Sequence, residues 1–378
     1  DVCSSDLASL PHTELQVQAC GDCHLLNFGF FATPERHLVF DLNDFDETHP
    51  APWEWDLKRL AVSFVVASRD NNHSEADAKE AAIACGCSYR EHLREYSRLS
   101  PLEVWYARLE MEDIIAEAPD AKSRAMRRQI AEKAEKRIAE NLFPKVVSVV
   151  AGQPRFVDQP PLLYHLSEAN AEAMMREGLE AYRQSLSEER RTLLDRYTLV
   201  DSALKVVGIG SVGTRCYVLL LLSEENHPLI LQAKEARHSV LEPYTQPSRY
   251  ENQGERVVMG QRLMQSSSDI FLGWVRGPRG YDNYVRQLRD MKLSAPVEGV
   301  TPPQLQRYAE YCGWSLARAH AKSGDGATIS GYLGKSDRFD EALGAFAIRY
   351  ADQNEQDHAA LVKAARDGWI EVLLEDDL

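Results

Sequence analysis

The sequence predicts an α+β fold in two lobes, a larger one that is mostly helical and a smaller one built on an antiparallel sheet. Three observations carry this reading. Residues 52–69 (PWEWDLKRLAVSFVVASR) place Leu57, Leu60, Ala61, Phe64, Val65 and Ser68 on one helical face. From about residue 198 the texture changes to β-rich runs separated by a glycine-rich loop and a turn. From Pro303 the helical spacing returns, most clearly in LQRYAEYCGWSLARAHA at 305–321. The expected layout is a helical lobe at 1–197, a β-rich lobe at 198–299, and a segment at 300–378 that completes the helical lobe.

The elements follow in order. ELQVQAC at 14–20 and HLVFDL at 37–42 read as short strands, each running into acids. The helix at 52–69 comes next, then further helical patterns with breaks near Asn72, Pro101, Pro119 and Pro144. The charged stretch 120–140 reads as a solvated helix face. The proline-bearing stretch 144–165 reads as an irregular connection, followed by one helix over about 168–194. Strands are expected before the glycine loop, at 216–222 and at 229–234, with a turn at 224–228. A helix at 251–265 and two strands, FLGWV and NYVRQL, complete the smaller lobe.

Bulk properties narrow the function. Of 378 residues, 44% are apolar, enough for a sizeable core. The net charge of −15 argues against general nucleic-acid or anionic-membrane binding, which needs a basic face. It leaves room for a nucleotide site, which needs only a few local cations. The longest apolar run, 217–222, is strand-sized, so no spanning helix is expected. Seven cysteines without a regular framework suggest reduced thiols and a cytoplasmic protein. The chain starts at Asp1 without methionine and reads as truncated. CGDCH at 20–24 has the form of a haem-attachment motif, but no export signal accompanies it. A zinc site lacks a second ligand pair.

The remaining motifs point to phosphoryl transfer. GIGSVG at 208–213 lies between two β-rich runs, where Gly208, Gly210, Ser211 and Gly213 would cover nucleotide phosphates with backbone N–H groups. A plain hairpin is the bland reading. Lys234, on the third strand, would hold the phosphates, oriented by Glu255 on the next helix, with Glu251 as runner-up. Asp22 and Asn27 have the five-residue spacing of a catalytic base and a metal-binding asparagine. NDFDE at 43–47 supplies Asp44 as the leading Mg²⁺ ligand and Asp46 as a second, while spacing leaves Asp41 open. A capped turn is the bland reading of these acids. Asp56 reads as a helix N-cap or, second, as a buried support for the Asp22 loop. His24 reads as a positioning or core histidine more than a metal ligand, and is grouped with Asp22 as a catalytic candidate.

GDCHLLNFG, FDLNDFDE, WEWDLKRLAVS, GIGSVGTRCYVLL, LQAKEA, GQRLMQ and LARAHA together resemble the uncharacterised bacterial family catalogued as domain of unknown function 2252, over nearly the whole chain. More distantly, GDCHLLN, NDFDE and WDLKRLA resemble the corresponding series of aminoglycoside phosphotransferases and related small-molecule kinases. That likeness implies Asp22 as catalytic base, Asn27 and Asp44 as metal ligands, and Asp56 as a structural aspartate. Cys20 departs from it, since those kinases commonly have histidine there. The order departs too: the loop at 22–46 precedes the glycine loop, whereas kinases have the reverse. The expectation is therefore a circularly permuted protein-kinase-like fold and an ATP- and Mg²⁺-dependent phosphotransferase acting on an unknown small molecule or protein. Two alternatives stand beside it. One is a non-catalytic nucleotide-binding regulator on the same fold. The other is a metal-dependent hydrolase using Asp22, His24, Asp44 and Asp46.

Overall fold

The structure is a computed structural model that describes residues 2–166, 170–206, 213–288 and 290–370. After a short helix α1 (Val2–Ser9), strand β1 (Gln16–Ala19) leads into the Asp22 loop. Strands β2 (Phe28–Ala32) and β3 (Leu38–Leu42) form an antiparallel pair, Phe28 opposite Leu42. Every residue of both is buried, so the alternation expected of a half-exposed strand is absent. Strand β4 (His49–Pro52) returns to pair with β1.

Helix α2 (Trp53–Asp70) buries the face the sequence predicts, including Leu57, Leu60, Ala61, Phe64, Val65 and Ser68. Helix α3 (Glu75–Tyr96) begins at a capping box: the Ser74 hydroxyl accepts from the Asp77 N–H, and Asp77 accepts from the Ser74 N–H. Trp53 stacks on Tyr89 at 5.7 Å, joining the two helices.

The middle of the chain departs from expectation. After α4 (Pro101–Tyr106), β5 (Leu109–Glu110), α5 (Met111–Ala116) and α6 (Ala121–Glu135), helix α7 (Ala139–Val146) runs through Pro144 and ends two residues later. The stretch expected to be irregular holds a hairpin, β6 (Val147–Val150) with β7 (Gln153–Phe156), and a short strand β8 (Leu163–Tyr164). The single helix expected at 168–194 is two, α8 (Ala171–Arg183) and α9 (Glu188–Leu194), with Ser187 at the N-cap position of the second.

A six-stranded sheet with one helix follows: β9 (Tyr197–Lys205), β10 (Cys216–Ser223), β11 (Pro228–Glu235), α10 (Gln253–Met264), β12 (Gly273–Arg276) and β13 (Asp282–Gln287), with β8 at its edge. The sheet is antiparallel, in the order β12-β13-β11-β10-β9-β8. Helices α8 and α9 and the turn between them supply Tyr182, Leu194 and Leu186 to one face, against Leu219, Leu221 and Leu231. Leu142 and Phe156 cover part of the other, against Val218, Leu220 and Ile230. Cover on both faces explains why the run 217–222 is continuously apolar.

Strand β14 (Leu293–Ser294) pairs with β2, and helices α11 (Pro302–Ser323), α12 (Gly326–Leu333) and α13 (Arg338–Arg366) complete the chain. Leu7, Phe40, Leu57, Tyr89, Val257, Leu316 and Ala351 belong to one core cluster, so the first and last parts of the chain share an interior. The C-terminal end of α11 lies against β1: the Ser323 hydroxyl accepts from the Gln18 N–H at 3.2 Å, 305 residues away.

Candidate active site

The Asp22 loop is held from below by one carboxylate. Asp56, in the first turn of α2, accepts from the Cys20 N–H at 2.6 Å and the Gly21 N–H at 3.0 Å. His320 of α11 lies at 3.3 Å from the same carboxylate, and the Tyr89 hydroxyl meets the other ring nitrogen at 2.8 Å. All three side chains are buried. Asp56 is thus the loop support and not the N-cap, a position that falls on Pro52. Gly21 has φ +86°, and a Cβ there would lie 2.3 Å from the Glu47 carbonyl oxygen, so only glycine allows the loops to approach.

Asn27 stitches the two acid-bearing loops together. Its Oδ1 accepts from the Asp44 N–H at 2.6 Å, and its Nδ2 donates to the carbonyls of Asp22 at 3.1 Å and Asp44 at 2.9 Å. The Cys20 thiol donates to the Asp44 carbonyl at 3.2 Å. The hydrogen bond from Cys23 lowers the Cys20 thiol, but burial together with the nearby Asp56, Asp22 and Asp44 carboxylates outweighs it and pushes the thiol up, and burial pushes Cys23 up as well. The Asp22 carboxylate is 41% exposed; Arg59 Nη2 lies 2.6 Å from one oxygen and His24 Nε2 3.7 Å from the other.

Strand β11 contributes Lys234. It is 5% exposed, and its ammonium pairs with Asp46 and lies 3.9 Å from Asp44. In register with it across the sheet stand Cys216 and Tyr284. Burial pushes the Asp44 carboxyl up, but Lys234, Arg286 and Lys292 outweigh it and hold the group below the usual carboxylate range. Asp46 goes the other way: burial and the neighbouring Asp44 raise it, and Lys234 opposes them only in part. One Asp46 oxygen, Oδ1, is buried without a hydrogen-bond partner. Arg286 and Lys292 both donate to the Asn43 carbonyl, at 3.2 and 3.3 Å. Burial and the neighbouring Arg286 lower Lys292 to about 7.

Three sequence expectations are corrected. Glu255 does not orient Lys234, whose ion-pair partners among the described residues are Asp44 and Asp46. The α10 side chain that enters this region is Arg256, one residue and about 100° further round the helix. It donates to the carbonyls of Asp46, Thr48 and Arg237. The runner-up Glu251 is exposed ahead of α10. Asp41 is not a free ligand: both its oxygens accept from Arg318 at 2.7 Å, and one also accepts from Ser266. Gly208, Gly210 and Ser211 lie outside the described residues. Gly213 has φ +80°, and its carbonyl accepts from Arg237.

Sequence reasoning missed Arg59, Arg256, Arg286, Lys292 and His320. Arg286 had a signal, because it alternates with Tyr284 on the strand beside Lys234 and shares its face. Lys292 had none. Among the described residues no three His, Cys, Asp or Glu side chains form a metal cluster. Asp44 and Asp46 form a pair of oxygen donors, which suits a hard cation whose other ligands are phosphates and waters.

Comparison with known families places the chain. The profile of a bacterial family described as "Uncharacterized protein conserved in bacteria (DUF2252)" matches residues 2–364. The chain belongs to the DUF2252 family. No curated protein and no solved structure gave a match. In this DUF2252 chain no described helix is long and apolar enough to cross a membrane.

Proposed function

We propose that this DUF2252 protein is an ATP- and Mg²⁺-dependent phosphotransferase on a circularly permuted kinase-like fold. The observation that carries the reading is the meeting of Lys234 with Asp44 and with Asp46, the latter 188 residues away in sequence, beside a loop that presents Asp22. A lysine on the third strand of an antiparallel sheet, facing metal-type aspartates from the other lobe, is the pairing that kinase-like chemistry needs. The contact between the end of α11 and β1 supports the permutation. LARAHA, the helix that would lead into the catalytic loop in the usual order, lies beside it in space.

Lys234, Arg286 and Lys292 would bind the phosphates. Asp44 and the unpartnered Asp46 Oδ1 fit Mg²⁺, and Asn27 Oδ1 retains one lone pair beyond its bond to Asp44. The metal would neutralise charge on the phosphates. Asp22 would accept the proton of the attacking hydroxyl, with Arg59 and His24 setting its orientation. The rate gain would come from positioning and charge stabilisation.

ATP calorimetry with and without Mg²⁺, on the wild type, Asp44→Ala and Asp22→Ala, tests this. Mg²⁺-dependent binding that Asp44→Ala weakens and Asp22→Ala keeps, with slow turnover lost in Asp22→Ala, is the expected result. A folded protein that binds no ATP would sink the proposal.

A further inference from the structure

A cavity of about 770 Å³ opens beside the Asp22 loop. Both groups that touch the Asp22 carboxylate, Arg59 and His24, line it. Its floor is one stripe of α2: Arg59, Val62, Ser63, Val66, Ala67 and Asp70. Those positions are i, i+3, i+4, i+7, i+8 and i+11, the spacing of a helix face that packs against something. Leu26, 58% exposed, and Val297 add apolar wall. Tyr350 of α13 closes one side, its hydroxyl donating to Asp6 at 2.9 Å. The stripe has a polarity: a cation at the Asp22 end, an apolar middle, and a carboxylate at Asp70 about 16 Å along the helix. Glu298 adds a second carboxylate to the lining. The volume lies in the range of small-molecule sites.

Resting on the phosphotransferase reading, we propose that this cavity is the acceptor site and that the acceptor is an alcohol with an uncharged apolar body. The body lies on Val62, Val66 and Val297 and brings its hydroxyl to Asp22. The hydroxyl oxygen bonds to the γ-phosphorus as the bond from that phosphorus to the β–γ bridging oxygen breaks. ADP leaves with the electron pair, and the hydroxyl proton passes to the Asp22 carboxylate. Asp70 and Glu298 disfavour an acceptor that carries a carboxylate.

The test uses the full chain with Mg²⁺ and ATP, offered butanol, hexanol, octanol or ω-hydroxyhexanoate. ATP binding is measured by calorimetry, and the ratio of phosphate ester to free phosphate by phosphorus NMR. The ratio should rise along the alcohol series, by up to about tenfold for each two carbons buried, and fall for ω-hydroxyhexanoate relative to hexanol. Val66→Trp, which fills the cavity, and Leu26→Glu, at an exposed site that folding tolerates, should each lower it at least tenfold. Bound ATP with turnover to water but no ester from any alcohol overturns the acceptor proposal and leaves the phosphotransferase reading standing. So does an ester ratio that neither variant changes. No ATP binding by the folded wild type defeats both.

Discussion

Asp41 and Asp46 lie five residues apart, and each faces a cation from a distant part of the chain. Asp41 is fully buried and saturated, with Arg318 on both oxygens and Ser266 N–H and O–H on one. Asp46 shares Lys234 with Asp44, keeps one buried oxygen without a partner, and is raised by burial and by its neighbour. The first arrangement ties β3 to α11 and to the chain just after α10, and has no capacity left. The second is incomplete, and a further cation would relieve it. Satisfaction of hydrogen-bonding capacity, more than charge or burial alone, separates a structural carboxylate from a candidate ligand.

That contrast can be broken by experiment. Arg318→Met leaves Asp41 buried and without its cation, and should cost about 3–5 kcal/mol in denaturant unfolding. Asp46→Asn leaves Lys234 beside Asp44 and removes a carboxylate whose charge burial and Asp44 already disfavour, so it should cost clearly less stability than Arg318→Met. It should weaken Mg²⁺-dependent ATP binding at least tenfold, about 1.4 kcal/mol, by calorimetry. If Asp46→Asn costs as much stability as Arg318→Met, the distinction fails.

Lys292 sharpens the same point through pH. Burial, then Arg286, depress it to about 7, against 10.5 ordinarily. Between those values the unfolded chain holds this proton and the folded chain does not. The contribution of Lys292 to stability therefore rises with pH across that window. Lys292→Met should flatten that part of a stability–pH profile. A bound phosphate would pull the proton back, so ATP affinity should fall as pH rises through about 7, and less so in the variant. The smallest effect is expected from Glu255→Gln: within about 0.5 kcal/mol in stability, with ATP affinity unchanged. A tenfold loss of affinity there would restore the kinase-style role of Glu255.

Much of this was legible in the sequence because it is local. The α2 face follows from the 3.6-residue period, and the strands at 37–42, 216–222 and 229–234 follow from apolar runs. The acids Asp22, Asp44 and Asp46 and the lysine Lys234 stood out by motif and spacing. The hairpin at 147–156 was hidden because proline outweighed the alternating apolar residues around it. For Asp56 the sequence leaves a cap and a loop support both open, because an acid near a helix start fits both roles locally. Only its contacts with the Cys20 and Gly21 N–H groups, 36 and 35 residues back, distinguish them.

The sequence by itself determined the α+β class, the positions of most elements and the candidate residues Asp22, Asn27, Asp44, Asp46 and Lys234. The tertiary structure alone decided which charges meet. Asp46 took Lys234, Arg318 took Asp41, and Arg256 displaced Glu255 as the side chain of α10 that enters the site. Periodicity encodes which face of an element turns inward. Pairing between elements hundreds of residues apart depends on register and on a rotation of about 100° per helical residue, and neither leaves a trace in local sequence.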